Sequence, residues 1–348
     1  MEIKRPHYVC KACAKYGYFD TAYKNSENTN GRLSPRLTEA VCLIAQQSSF
    51  ETTSDFIQRL LSVKVSSSTV KEASENIGTV WFENELQSSK NYKPDIKGIF
   101  EQKIPENRCY LEMDGAMLRE LKGFHENKLG VIFSESDMIQ NGEGENARST
   151  ILKKTLVSSF KLGVDDFESR LKYWLIKTGT YFSKEIITIS DGAIWIENIV
   201  GRLLPSGTHI LDWFHAKEKL WECAKKIYGE HSPKVAPWVN THAEKLWEGN
   251  IQDVLNSLLS EAAQAKNQTP LRELHNYYNH RKSMMRYAEF RKKGYCIGSG
   301  AIESANKYAI QDRLKRAGMK WTTEGANAIA KLRTTYLSGQ WDTMWLTA

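Results

Sequence analysis

No apolar run in this 348-residue chain approaches the roughly 20 residues that a membrane-spanning helix needs. Its opening stretch, MEIKRPHYVCKACAKYGYFD, lacks the apolar segment of a secretory leader, so export is not expected. The six cysteines stand at the irregular positions 10, 13, 42, 109, 223 and 296, which fits reduced thiols in a cytoplasmic protein. Nothing repeats internally, and no low-complexity linker appears. One CxxC is present, Cys10 to Cys13, with no second CxxC or CxxH downstream. A zinc ribbon takes two such pairs, so Cys10 and Cys13 are half a site and zinc is weakly supported.

What is present fits a folded protein. The hydrophobic fraction is 41% with 11% aromatic residues, and the length allows two or three domains. The net charge of +7 is unevenly spread. Residues 281 to 333 hold thirteen Lys and Arg against four acids, Glu289, Glu303, Asp312 and Glu324. That segment is therefore +9 and the remainder about −2. Positive charge gathered in one place favours a polyanionic partner, most simply nucleic acid, although a solvated helical face has the same composition.

Apolar spacing predicts helices over residues 35 to 82, with Pro35 near the first start and Ser66 or Ser67 capping a third helix that ends near Gly78. Short helices, a tight turn and a Ser/Thr-headed third helix make a helix-turn-helix plausible, as well as a plain three-helix unit. From residue 107 the period changes. RCYLEMDGAML, KLGVIFSES, KEIITISDGAIWI and GTHILDWFHA read as strands, and residues 146 to 182 between them as helical. A long helical stretch follows from 214 to about 290, broken near GEHSPKVAPW and KNQTP. The expected class is α/β, with buried strands.

Two predicted strands end in an aspartate followed by Gly-Ala, at Asp114 and Asp191. Ligands of open α/β sheets bind beyond the carboxyl ends of the strands, where a glutamate from a later helix, Glu303, can join them. Three close carboxylates repel unless a cation lies between them. Oxygen donors suit Mg²⁺ or Mn²⁺, and a pair of ions would serve phosphoryl transfer. Asp-Gly is equally an ordinary turn signal. Asn306 and Lys307 lie one helical turn beyond Glu303, and Arg313, Lys315, Arg316 and Lys320 follow as candidates for DNA-backbone contacts. Trp213, Trp221, Trp247, Tyr277 and Tyr278 read first as packing of long helices, second as platforms for an unstacked base.

The stretches YLEMDGAML, ISDGAIWI, ILDWFHAKEKLW, the block from YYNHRKSMMRYAEF through IGSGAIES to RLKRAGMKW, and LRTTYLSGQWDTMW together span about residues 107 to 345. In kind and order they resemble the DDE transposases of bacterial insertion sequences, of the ISKra type with Mutator-like relatives. The resemblance implies a ribonuclease-H-like catalytic core over 107–213 and 291–340, with an all-helical insertion over 214–290. Ahead of it would stand a partial zinc-ribbon-like segment, 1–34, and the helix-turn-helix region, 35–82. Asp114, Asp191 and Glu303 would be the catalytic, magnesium-binding acids, with Asp212 and His215 of DWFHA in support. The implied activity is metal-dependent cleavage and strand transfer of double-stranded DNA by a homo-oligomer at terminal repeats, in the nucleoid. A catalytically silent DNA-binding derivative, or a nuclease that cuts without joining, are the alternatives. The family's usual front carries a fuller cysteine module, so an N-terminally truncated frame is expected.

Overall fold

The computed structural model describes residues 7–9, 16–18, 33–93, 108–141 and 148–346. Cys10 and Cys13, and with them the zinc expectation, lie outside the described residues.

Three helices come first: α1 (Pro35–Ala45), α2 (Phe50–Leu61) and α3 (Ser67–Asn91). Ser34, Ser49 and Ser66 stand at their N-caps, each accepting a backbone amide of the first turn. Contrary to the sequence expectation, α3 does not end near Gly78. It continues for three more turns, because Gly78 is a point of close approach and not a terminus. A β-carbon there would stand 2.3 Å from the Ala328 carbonyl oxygen. The buried stripe Val70, Ala73, Ile77, Trp81, Phe82 and Glu85 keeps a helical period throughout. Its Val, Ile and Phe members contribute about 1.5–3 kcal/mol each by leaving water.

Two short strands, β1 (His7–Val9) and β2 (Tyr16–Tyr18), pair antiparallel near the start. The main sheet contains β3 (Cys109–Glu120), β4 (Gly123–Ser134), β7 (Thr155–Phe160), β8 (Ile186–Ser190) and β9 (Thr208–Leu211) in the order β7-β4-β3-β8-β9. β3, β4 and β7 are antiparallel neighbours, while β3, β8 and β9 run parallel. A small antiparallel pair, β5 (Met138–Asn141) and β6 (Arg148–Ile151), lies between β4 and β7 in the chain. The protein is thus mixed α/β. Residues 148 to 160, expected to be helical, form β6 and β7 instead. All six residues of β7 are buried, so its serines sit inside and the polar/apolar alternation that marks a strand is lost.

One face of the sheet is covered by α4 (Val164–Lys177) and α5 (Ile194–Leu203), which pack on Leu111, Met113 and Ile132. The other face meets a run of helices: α6 (Trp213–Tyr228), α7 (Val235–Trp247), α8 (Ile251–Gln264), α9 (Thr269–Arg281) and α10 (Tyr287–Lys292). Then come α11 (Gly300–Ala305), a π-helical segment (Asn306–Gln311), the single turn α12 (Asp312–Leu314), α13 (Thr323–Leu337) and α14 (Trp341–Leu346). The stretch expected to be all-helical therefore is so.

Charged side chains fasten the first helices to the last. Buried Glu85 on α3 accepts from Arg170 Nε (2.7 Å) and Trp174 Nε1 (2.9 Å) on α4, and from Lys331 on α13. Burial opposes ionisation of Glu85, but Lys331 and Arg170 outweigh it and hold the carboxyl down to about 2. Arg313 donates from Nε to the Ala45 carbonyl (2.8 Å) and lies over the rings of Phe50 and Trp321. No helix among the described residues is long and apolar enough to cross a membrane.

Candidate functional site

A period of two along β3 puts Glu112 and Asp114 on the same face as Tyr110, Ala116 and Leu118, which pack towards the helical run. Asp114 does not end its strand, as the sequence suggested. β3 continues to Glu120, with Gly115 opposite Lys128 on β4. What ends near Asp114 is the parallel pairing with β8, whose last partners are Glu112 and Ile189. The carboxylate therefore stands where the sheet has lost one neighbour. Its Oδ1 accepts the Gly115 amide (2.7 Å), and its Oδ2 accepts from Asn306 Nδ2 (2.5 Å).

Asp191 does follow the end of its strand. Its Oδ1 accepts the Ala193 amide (2.8 Å) just before α5 begins. Gly192 turns the chain with φ of +80°, and a β-carbon there would lie 2.6 Å from Arg281 Nε and 3.0 Å from the Tyr277 hydroxyl. Those two side chains of α9 grip the turn: Tyr277 donates to the Asp191 carbonyl and Arg281 Nη2 to the Gly192 carbonyl, both over 2.8 Å. Arg281 is in turn paired with Glu197 (2.6 Å). From below, Ser190 Oγ accepts the Gly192 amide (3.3 Å) and contacts His209 Nε2 (2.9 Å). Burial, helped by Arg281, lowers the His209 pKa to about 4.

Glu303 rides on α11, and two buried acidic side chains place that helix. Glu112 Oε2 accepts the Ile302 amide (2.8 Å). Asp212 caps α6, its Oδ1 taking the His215 amide (2.6 Å), while its Oδ2 takes the Ser299 amide (2.5 Å) ahead of α11. Beyond Ala305 the helix widens into the π-helical segment, which turns Asn306 inward to Asp114 while Lys307 stays exposed.

Asp114, Asp191, Glu303, Asp212 and His215 all line one open cleft of about 610 Å³, together with Phe214 and Trp221. Their field is negative. The Asp114 pKa is raised by burial and then by Asp191; that of Glu303 by burial, Asp212 and Asp114. Glu112 is pushed up to about 8 by burial, with Asp212 and Glu303 adding to it. The oxygen-only donor set suits a hard divalent ion. The carboxylates border the cleft without converging on one point: among the described residues, no three His, Cys, Asp or Glu side chains stand at metal-holding spacing.

The basic candidates divide. Lys307, Lys315, Arg316 and Lys320 are exposed. Arg313 is not; its guanidinium is buried, with contacts to Ala45, Phe50 and Trp321. Asn306 is likewise buried and committed to Asp114. Among the aromatics, Tyr278 is buried against the Ala216 carbonyl and Trp213 is half-buried against Trp247 and Tyr287, while Trp247 is exposed and Trp221 lines the cleft. Glu112, Ser299, His209 and Arg281 were not singled out from sequence. Glu112 left a trace, an acid two residues before Asp114 at an inward strand position.

Residues 1–344 match the model of UPF0236, described as an uncharacterised protein family, and the chain belongs to that family. A search of curated proteins returns no match.

Proposed function

We propose that this protein is a DDE-type DNA transposase, carrying out metal-dependent cleavage and strand transfer at the ends of an insertion sequence. The observation that carries the reading is that Asp114, Asp191 and Glu303, from three distant parts of the chain, line one cleft. The sheet adds support. An antiparallel run of β3, β4 and β7, with β8 and β9 parallel to β3 on its other side, is compatible with the ribonuclease-H-like core that the reading calls for. The helical run between β9 and α11 then corresponds to an insertion ahead of the last acid.

In this reading Asp114 and Asp191 are the main metal-binding groups and Glu303 completes the set. Divalent ions held there would polarise the attacking oxygen and offset charge on the leaving one. The side chains do the remaining work. Asp212, Glu112 and Asn306 hold the carboxylates in place, and Lys307, Lys315, Arg316 and Lys320 draw the DNA backbone to the cleft. Water attacks a phosphodiester at the element's end and releases a 3′-hydroxyl; that hydroxyl then attacks target DNA. The first three helices would grip the terminal repeats, and paired ends imply a homo-oligomer in the nucleoid.

One observation favours a non-catalytic alternative, a DNA-binding protein of the same descent: both Asp114 oxygens already have donors within the protein. A strand-transfer assay with a labelled terminal-repeat oligonucleotide and Mn²⁺ separates the readings. The transposase yields nicked and joined products, and Asp191→Ala yields neither. A nuclease gives nicks alone. No products from either protein would leave DNA binding as the function.

A further inference from the structure

A second cleft, of about 600 Å³, opens between the starts of α2 and α3 and the segment leading into α13. Ser67, Ser68, Lys71, Lys320 and Arg313 are among its lining residues. Ser66 satisfies the Thr69 amide, and helix geometry leaves the Ser67 and Ser68 amides without an intrahelical acceptor at the positive end of a 25-residue helix. No acid lies in that first turn. Behind it, Arg313 is fully buried, and its Nη2 has no hydrogen-bond partner although Nε and Nη1 reach Ala45 and Met319. Glu75 acts on Arg313 through space but leaves Nη2 without a hydrogen bond, and a buried guanidinium with an unused donor is costly unless an acceptor comes to it. Lys71 and Lys320 are exposed. Two carboxylates share the cleft, Glu51 and Glu75, and Glu75 stands 4.0 Å from Lys71. Lysine and arginine still outnumber them by one, before the helix end is counted.

We propose that this cleft seats one phosphate of a DNA backbone, held by the α3 amides, Lys71 and Lys320, with Arg313 behind them. The proposal rests on the reading of the protein as DNA-binding and adds a specific contact to it. Geometry allows one duplex to reach both places. Leu121, also on the cleft wall, follows Asp114 by seven residues along the β3–β4 hairpin. At about 3.4 Å per residue the separation along the strand is at most about 24 Å, or roughly seven base pairs.

The test is fluorescence anisotropy of a labelled duplex of about 30 base pairs with the full chain, in EDTA, over a series of potassium chloride concentrations. Loss of one phosphate contact lowers the slope of log affinity against log salt by about 0.9. Lys71→Ala and Lys320→Ala are each expected to lose up to that amount, and the double variant no more than about 0.9, because both serve one phosphate. Lys266→Ala, outside the cleft, should leave the slope unchanged. Unchanged slopes in both single variants, or an additive loss of about 1.8 in the double, would overturn the seat. No cleavage occurs in EDTA, so the two readings fail separately. Binding with the expected slopes but no nicking in Mn²⁺ rejects the transposase and keeps the seat; nicking with unchanged slopes rejects the seat alone. A wild-type chain that binds no duplex rejects both.

Discussion

Asp212 and Ser299 are joined by a hydrogen bond of 2.5 Å from the Ser299 amide to Asp212 Oδ2, which ties the start of α6 to the turn that presents Glu303. The other oxygen is used by His215 of the same helix, so Asp212 acts as a buried positioning group with both oxygens committed. Asp212→Asn replaces one acceptor with an amide donor that faces a backbone N–H. The expected cost is about 1–3 kcal/mol of stability, read as a lower melting temperature. End nicking should fall at least about tenfold in the same protein, from about 1.4 kcal/mol or more of lost positioning. Unchanged nicking would mean that α11 finds its place without this bond.

Asn306 serves Asp114 in a comparable way. Asn306→Ala removes the donor to Oδ2 and should lower nicking about tenfold while DNA affinity stays the same. Asn306→Asp places a second carboxylate in contact with Asp114, whose pKa burial and Asp191 already raise. A further rise means that ionised Asp114 appears at higher pH. The acid limb of the pH–rate profile should therefore move to higher pH in Asn306→Asp, and a profile that stays in place would contradict the assignment.

The Asp191 turn is gripped from outside by Tyr277 and Arg281. Tyr277→Phe loses one hydrogen bond, about 1 kcal/mol, with a matching several-fold loss of nicking. Gly192→Ala should be worse, since its β-carbon would meet Arg281 and its φ is positive. Equal activities in the wild type and both variants would show that the helical run does not position this acid.

Glu85 gives a stability prediction independent of catalysis. Its folded pKa is about 2, against its ordinary value of 4.5, so its contribution is complete above about pH 4.5 and is lost as pH falls towards 2. Glu85→Gln leaves Lys331 and Arg170 buried without their counter-charge and should cost about 3–5 kcal/mol at pH 7. Chemical unfolding at pH 7 and pH 3 should show the difference shrinking at the lower pH.

Legibility in the sequence followed local chemistry. Ser34, Ser49 and Ser66 announce the first three helices, the aliphatic alternation of RCYLEM announces β3, and the acid after IITIS marks the end of β8. That Asp114, Asp191 and Glu303 share one cleft was expected from their types and placement and, for all three, from family resemblance. Contacts between distant segments were hidden. Nothing local to Arg313 says that Ala45 lies above it, and nothing local to Gly78 says that Ala328 crosses there. β7 escaped notice because two buried faces erase the alternation, and the π-helical turn of Asn306 has no propensity signal.

The most direct measurement is uptake of Mn²⁺, followed by the loss of free-ion electron paramagnetic resonance, by the protein on a terminal-repeat duplex. The expected result is about two ions for the wild type, as a two-ion phosphoryl-transfer site requires. Asp114→Asn, Asp191→Asn and Glu303→Gln should each lose at least one ion while still binding DNA. Equal uptake by all four proteins would contradict a shared ion site in this cleft.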